Sequence, residues 1–294
     1  MAVYQIILVD LLGPDVNNHP TSVSFLSPAS IGFSSNNNSS SLTNANVRIL
    51  LFVTTIYSQK HQNYFKCCWP KLMEKSQLLK RADVMIFSNN MTELNSTTLE
   101  PTRQVFESNN NPNYYFEIKF ATNTELQEIR DEKLKVNKFQ RGANLGVKLG
   151  VSKQWFAPYD WVIRINPDVL IRNSTWIWET MQDSNVDGIF IKCHERIPRI
   201  HTDFFAVRPR AMSVSAFAQM EFEQYSKTML NHEITAHKAF HPILESKRYR
   251  YLPDVYPSNG FCRARGLHSP VYHAHDSCRN ESMICDALED RGII

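Results

Sequence analysis

The chain has little excess charge of either sign. Its 294 residues carry 32 Lys and Arg against 29 Asp and Glu, a formal net charge of +3. A nucleic-acid surface requires clustered basic residues, and no such cluster occurs along the sequence. The composition therefore predicts a near-neutral enzyme surface and no nucleic-acid partner.

Long apolar runs are also missing. No stretch approaches the ~20 apolar residues that a membrane-spanning helix needs, so no transmembrane segment is predicted. The start of the chain, Met1 to Gly13, is apolar but contains Asp10 and lacks the basic residues of a signal peptide. We interpret Val3 to Leu12 as a short strand or an isolated apolar segment, with an atypical membrane anchor as the alternative.

Two common zinc motifs are absent. None of the six cysteines forms a Cys-x-x-Cys pair, which argues against a structural zinc site. His232 and His237 flank a glutamate but are five residues apart, whereas the zinc-protease signature stacks its histidines at i and i+4. The even number of cysteines permits disulfide bonds, and Asn-x-Ser/Thr sequons would suit a secretory protein. An Asn-rich chain also produces sequons by chance, so a cytosolic location stays open.

The composition changes at Val47. Residues Asn17 to Asn46 are rich in Asn, Ser, Thr and Pro and contain few large apolar side chains. Such a segment cannot bury enough apolar surface to offset its ordering entropy, so residues 1–46 are predicted to be a flexible lead-in. Residues 47–294 are predicted to form one domain without internal repeats.

From Val47 onward, apolar runs alternate with helical patterns. Strands are predicted at 47–53, 82–88, 114–120, 161–165, 188–193, 203–207 and 248–256. Helices are predicted at 64–81, 124–153, 209–230 and 232–244, and the tail from Pro257 onward is predicted to be loops with a short terminal helix. This alternation predicts an α/β fold whose mainly parallel central sheet is flanked by helices. Sheets of this kind bind ligands beyond the carboxyl ends of their strands.

Asn166-Pro167-Asp168 directly follows the predicted strand 161–165. Its two oxygen-bearing side chains are two residues apart, with a rigid proline between them. Mg²⁺ and Mn²⁺ prefer hard oxygen ligands of this kind. A nucleoside-diphosphate leaving group needs such a cation as its glycosidic bond breaks. The alternative interpretation is a simple Asx turn that ends the strand.

Three segments together resemble one enzyme family. Residues 160–168, Asp-Trp-Val-Ile-Arg-Ile-Asn-Pro-Asp, resemble the Asp-x-Asp region of the nucleotide-diphospho-sugar transferases with the A-type glycosyltransferase (GT-A) fold. Residues 201–209, His-Thr-Asp-Phe-Phe-Ala-Val-Arg-Pro, are similar to the strand that follows it in several such families. Residues 271–276, Val-Tyr-His-Ala-His-Asp, resemble the late histidine segment that often completes the metal site. The chain departs from the family pattern at Asn166, which replaces the first aspartate and is a weaker metal ligand.

The resemblance implies a single GT-A-like domain that transfers a sugar from a nucleoside-diphosphate sugar to a glycan, a glycoprotein or another hydroxyl acceptor. UDP-sugars are the commonest donors in the resembled families, and Mn²⁺ or Mg²⁺ is the implied cofactor. Asp168 would coordinate the metal, with Asn166 binding it through water or contacting the ribose directly. His273 or His275 would supply a third ligand, since their i,i+2 spacing on an extended segment lets both face one way.

The resemblance also implies contacts with the nucleotide. Thr54 and Thr55, at the end of the first strand, match the place where these enzymes hold the nucleoside base and the ribose. Arg141 and Asn144 are three residues apart and so lie on one face of the predicted helix. The family often uses a basic residue there to reach the nucleotide.

A sugar hydroxyl is a poor nucleophile until a positioned base removes its proton, and an inverting enzyme would require such a base. Asp203 is the leading candidate and Glu233 the second, although either could instead cap a helix or pair with an arginine. Two other functions stay open. The chain could be a catalytically idle member of the fold that binds carbohydrate or a partner, or a metal-dependent hydrolase. The oligomeric state is not predicted.

Overall fold

The computed structural model describes residues 47–89, 96–107, 114–130, 138–192, 200–213, 232–253, 256–258, 261–263 and 269–273. All of these residues belong to one compact unit of the chain, residues 44–294. The predicted lead-in, residues 1–46, lies outside the described residues, so the predicted domain boundary stays a prediction. Within the described ranges, no helix combines the length and the apolar character needed to cross a membrane.

Strands and helices alternate along the described chain. The strands are β1 (Ile49–Thr55), β2 (Asp83–Ser88), β3 (Phe116–Phe120), β4 (Trp161–Ile165), β5 (Val169–Ile171), β6 (Gly188–Lys192), β7 (Ile200–Val207), β8 (Tyr249–Tyr251), β9 (Tyr256–Ser258), β10 (Phe261–Arg263) and β11 (Val271–His273). The α-helices are α1 (Gln59–Asn63), α2 (Trp69–Lys75), α3 (Gln77–Arg81), α4 (Ser96–Glu107), α5 (Asn123–Arg130), α6 (Lys138–Ser152), α7 (Ser174–Gln182), α8 (His232–Ala239) and α9 (His241–Glu245). A π-helical segment, Tyr64–Cys68, joins α1 to α2, and a 3-10 turn, Pro209–Ala211, follows β7.

Seven strands form the central sheet, in the order β3-β2-β1-β4-β7-β6-β8. The neighbours from β3 to β4 are all parallel. Strand β7 is antiparallel to both β4 and β6, and β8 is parallel to β6. The predicted α/β class with a mainly parallel sheet is therefore confirmed. Because β7 is antiparallel to β4, its first residues lie at the edge of the sheet where β1 and β4 end.

Strand β1 is buried along its whole length and contributes to an apolar cluster on each face of the sheet. Ile49, Leu51 and Val53 pack in the cluster that contains α2, α3, α4 and α7. Leu50 and Phe52 pack in the opposite cluster, with α5, α6, α8 and α9. This alternation follows from the two-residue period of a strand. It explains why the run from residue 47 is almost continuously apolar, as expected of a strand that is covered on both faces.

Helix α6 approaches β2 closely because it carries glycines on the facing side. A Cβ atom added to Gly146 would lie 2.6 Å from Cδ1 of Phe87. One added to Gly142 would lie 2.2 Å from Nδ2 of Asn89. Glycine weakens a helix, but here the missing side chains allow the two elements to pack.

Several elements differ from the prediction. Helices α4 and α7 were not predicted, and the helix predicted from residue 64 begins earlier, at Gln59. It is also interrupted at Ser76, whose Oγ accepts a hydrogen bond of 3.1 Å from the backbone N–H of Leu79 and so starts α3. Of the helix predicted at 209–230, residues 214–231 lie outside the described residues. The tail that was predicted as loops from Pro257 onward contains most of β9 and all of β10 and β11, each too short to show a strand period.

Candidate active site

The segment that follows β4 is a tight turn. The backbone N–H of Val169 donates a hydrogen bond of 3.0 Å to the carbonyl of Asn166, which places Pro167 at the second position of the turn, where proline is favoured. The indole Nε1 of Trp69 donates a hydrogen bond of 3.0 Å to the Pro167 carbonyl. The turn is therefore stabilised by one hydrogen bond within it and one from Trp69, and Asp168 is its third residue.

A pair of three-residue strands brings a histidine to Asp168. In the antiparallel pairing of β5 with β11, His273 lies opposite Val169. The backbone N–H of Arg172 extends the pairing with a hydrogen bond of 2.8 Å to the Pro270 carbonyl. Nε2 of His273 lies 3.7 Å from Oδ2 of Asp168, and both side chains are buried. Two of the residues predicted as metal ligands are thus neighbours.

The first half of β7 supplies two further groups. Oδ2 of Asp203 lies 3.2 Å from Nδ1 of His273 and 3.6 Å from Nδ1 of His201. Taking one potential ligand atom from each of these three residues, the atoms all lie within 4.8 Å of one another, a spacing that could hold a metal ion. His201 was not predicted as a site residue. Its signal was present in the sequence, since it is two residues before Asp203 on a strand and therefore points to the same face.

A hydrogen-bonded network joins the ends of β1, β4 and β7. Oδ1 of Asn166 accepts hydrogen bonds from Oγ1 of Thr54, at 3.2 Å, and from Nη2 of Arg164, at 2.7 Å. Nδ2 of Asn166 donates a hydrogen bond of 2.8 Å to Oδ1 of Asp203. Both polar atoms of the Asn166 amide therefore have protein partners. Thr54 is itself buried and accepts a hydrogen bond from Arg164.

Arg164 is a cation in the middle of a fully buried strand. Its side chain is only 1% exposed, and Nη1 lies 4.0 Å from Oδ1 of Asp203. Burial lowers the pKa of the Arg164 guanidinium to about 10, so the group stays protonated at neutral pH. A charged residue inside an apolar run is a costly feature unless it has a partner. That pattern is the signal that could have identified Arg164 from the sequence.

Helix α1 contributes two residues that were not predicted. Nζ of Lys60 lies 2.9 Å from Oδ2 of Asp168. Nδ1 of His61 lies 2.8 Å from Oγ1 of Thr55, which is buried at the end of β1. Ser58 caps the start of the helix, because its Oγ accepts a hydrogen bond from the backbone N–H of His61. A serine shortly after a strand is a recognisable helix start, but the predicted helix began later and so did not include this turn.

The surroundings of the two carboxyl groups favour their ionised forms. Burial would raise the pKa of the Asp168 carboxyl, but His273 and the other cationic neighbours hold that pKa well below its ordinary value. Burial would also raise the pKa of Asp203, and His201, His273 and Arg164 together lower it instead. Both carboxylates are therefore charged at neutral pH.

The site's residues fit a divalent cation. Oδ1 of Asp168 is buried and has no hydrogen-bond partner among the described residues. Carboxylate oxygen and imidazole nitrogen are both ligands that Mn²⁺ accepts. The other ring nitrogen of His273 faces the carboxylate of Asp203, and a carboxylate in that position typically orients a metal-binding histidine.

Four of the predicted residues cannot be placed relative to this site. Arg141 and Asn144 belong to helix α6, and Glu233 belongs to helix α8. Their side chains lie outside the described residues, and so does the whole of His275. Their roles stay predictions.

No protein-family model matches the sequence, and no curated protein matches it. Among solved structures, the chain is similar to the apo form of mouse xyloside xylosyltransferase 1, with 9% identity, 78% of this chain and 98% of that chain covered, and a TM-score of 0.46. It is also similar to an active-site mutant of LgtC, with 12% identity, coverage of 83% and 95%, and a TM-score of 0.48. A glycosyltransferase involved in glycosylation of the major capsid of PBCV-1 shows 12% identity, coverage of 83% and 99%, and a TM-score of 0.41. All three TM-scores are below 0.5, so the function proposed next depends on the site's own geometry.

Proposed function

We propose that the protein is a glycosyltransferase that moves a sugar from a nucleoside-diphosphate sugar, with a UDP-sugar favoured, to a hydroxyl group of a glycan or glycoprotein. The observation that carries this proposal is the pairing of Asp168 with His273, 3.7 Å apart, at the edge where β1 and β4 end. Open α/β sheets bind their ligands at this edge. Oδ1 of Asp168, which is buried and accepts no hydrogen bond from the part of the chain that the structure describes, supports a cation there.

Asp168 and His273 are the proposed ligands of Mn²⁺ or Mg²⁺. The cation would neutralise charge that develops on the diphosphate as the sugar leaves. Oδ2 of Asp203 lies 3.2 Å from Nδ1 of His273, on the side of the ring away from Nε2, which lies 3.7 Å from Asp168. Asn166 contributes less directly, through water or by fixing Asp203, because its amide oxygen already accepts two hydrogen bonds.

Thr54 and Thr55 are proposed to contact the nucleoside, because both lie at the end of β1 beside the metal turn. Arg141 and Asn144 are proposed to reach the nucleotide from helix α6. Asp203 is the leading candidate for the base that activates the acceptor, with Glu233 on α8 as the second. The lowered pKa of Asp203 makes it a weaker base than a free carboxylate.

The disulfide bond of Cys68 supports a location of the protein, and therefore of its acceptor, in the secretory pathway. This buried residue is disulfide-bonded. Disulfide bonds persist mainly in oxidising compartments. Glycans and glycoproteins are abundant acceptors there, so this placement is part of the proposal.

A panel of nucleoside-diphosphate sugars tests the proposal. Nucleotide release should be measured for each sugar nucleotide with and without Mn²⁺ and with and without a mixture of glycan acceptors. A transferase releases nucleotide faster when acceptor is present, and the sugar appears on the acceptor. If the rate of nucleotide release is the same with and without acceptor, the protein is a hydrolase. Binding of UDP without any release would indicate the idle alternative.

A further inference from the structure

Lys60 is the most exposed of the Lys, Arg and Asp side chains that the described residues place around the site. Its side chain is 35% exposed, compared with 25% for Asp203, 9% for Asp168 and 1% for Arg164. Its ammonium group lies 2.9 Å from Oδ2 of Asp168. The same ammonium group also lies 5.9 Å from the centre of the Tyr64 ring, within the range of a cation–π contact.

Two cationic side chains, one lysine and one arginine, lie beside the two carboxylates of the site. Asp168 and Asp203 are negative, and Lys60 and Arg164 are positive. A divalent cation that binds next to Asp168 therefore lies close to the positive charge of Lys60. The repulsion decreases if one of the two protein cations moves away.

The Arg164 guanidinium is fixed in place, whereas the Lys60 ammonium group is free to turn away from Asp168. The guanidinium of Arg164 is fully buried and donates hydrogen bonds to Thr54 and Asn166. Lys60 has a flexible stem and a compact ammonium group, and its side chain is 35% exposed. Phosphate oxygens are good partners for such a group, because the hydrogen bond is charge-assisted.

We infer that Lys60 is a diphosphate-binding residue that neutralises Asp168 before the metal binds and then turns to the donor's phosphate oxygens. The inference rests on the proposed function, because the phosphate partner comes from the donor. Lys60 thus opposes the binding of metal alone and favours the binding of metal together with a nucleoside diphosphate. The cation would then be retained mainly when the donor is present.

Lys60→Met separates these two effects. Without the ammonium group, Mn²⁺ alone should bind about threefold to tenfold more tightly, since a partly exposed competing charge has been removed. UDP in the presence of saturating Mn²⁺ should bind about tenfold more weakly, which is typical for the loss of one charged hydrogen bond. Lys60→Arg keeps the charge and should stay close to wild type for Mn²⁺ alone.

The measurements are calorimetric titrations of the full chain, first with Mn²⁺ alone and then with UDP at saturating Mn²⁺. Lys66→Met is the matched control, because Lys66 is an exposed lysine of the neighbouring π-helical segment. It should match wild type in both titrations. If Lys60→Met is poorly folded, Lys60→Gln replaces it, with the same expectation.

The opposite changes expected for the two ligands distinguish this role from a structural ion pair. A structural pair predicts that Mn²⁺ binding is unchanged or weakened by Lys60→Met, and either result overturns the inference. If wild type binds both ligands and Lys60→Met behaves identically, the inference fails and the proposed function stands. If wild type binds neither Mn²⁺ nor UDP, the proposed function fails as well.

Discussion

Nδ2 of Asn166 donates a hydrogen bond of 2.8 Å to Oδ1 of Asp203. The other end of the same amide accepts a hydrogen bond of 2.7 Å from the buried guanidinium of Arg164. A neutral residue is therefore placed between a carboxylate and a cation and bonds to both. An aspartate at position 166 would lose the donor and face Asp203 with a second negative charge.

Asn166→Asp should therefore destabilise the protein when metal is absent, by about 1–2 kcal/mol, since a hydrogen bond is replaced by repulsion between two carboxylates. Added Mn²⁺ should restore most of this loss, because a new carboxylate beside the turn attracts the cation. Urea unfolding with and without Mn²⁺ measures both effects. Asn173→Asp is the control, because Asn173 is exposed and caps α7, a position where Asn and Asp serve equally well. Equal stability of Asn166→Asp and wild type without metal would contradict the network described above.

Arg164 is expected to be essential for stability rather than only for catalysis. Arg164→Met removes the cation from a buried strand and leaves Asp203 with less compensation, at a loss of about 3–5 kcal/mol in the free energy of unfolding. In the double variant Arg164→Met with Asp203→Asn, the loss should be clearly smaller than the sum of the two single losses. Simple additivity would show that the two charges are not coupled.

A surface arginine provides the control for that experiment. Arg103 on helix α4 pairs with Glu107 one turn later, at 3.2 Å, and both side chains are substantially exposed. Because exposed pairs of this kind contribute little, Arg103→Met should change the free energy of unfolding by less than about 0.5 kcal/mol.

Gly146 should not tolerate a methyl group. Alanine is the better helix former by about 1 kcal/mol, so Gly146→Ala would stabilise an isolated helix. In this protein the new Cβ would meet the Phe87 ring at 2.6 Å, and overpacking of this kind costs about 1–3 kcal/mol. We therefore expect a net loss of stability by chemical denaturation. Ser152→Ala, at the exposed end of the same helix, should be neutral or slightly stabilising, and equal behaviour of the two variants would contradict the close packing of α6 on β2.

The sequence was sufficient to predict the architecture because its central strands are distinctive. Strands β1 and β4 are nearly continuous apolar runs, interrupted in β4 only by Arg164, and such runs identify strands that are buried on both faces. Asp168 could be selected as a site residue for the same reason, because it comes directly after one of these strands. The apolar pattern also explains why helices were expected on both faces of the sheet.

The composition of the site was harder to predict, because it depends on which strands pair. His201 and Asp203 lie beside His273 only because β7 runs antiparallel to β4, and alternation of strands and helices does not specify that direction. His273 is positioned by two strands of three residues each, too short to show a period. Lys60 depends on where a short helix begins, and the ends of elements are the least reliable part of any sequence-based assignment.

The central claim is that Asp168 and His273 hold a metal ion at the diphosphate of the donor. It is tested most directly by calorimetric titration of UDP into wild type, Asp168→Asn and His273→Gln, each with and without Mn²⁺. Asp160→Asn serves as the control, because Asp160 is exposed and its carboxylate accepts a hydrogen bond from the backbone N–H of Arg48 at the start of β1.

Wild type and Asp160→Asn should bind UDP more tightly when Mn²⁺ is present. In Asp168→Asn and His273→Gln, this enhancement should fall by about tenfold or more, while the thermal melting curves remain cooperative. The account is contradicted if Mn²⁺ strengthens UDP binding by the same factor in Asp168→Asn as in wild type.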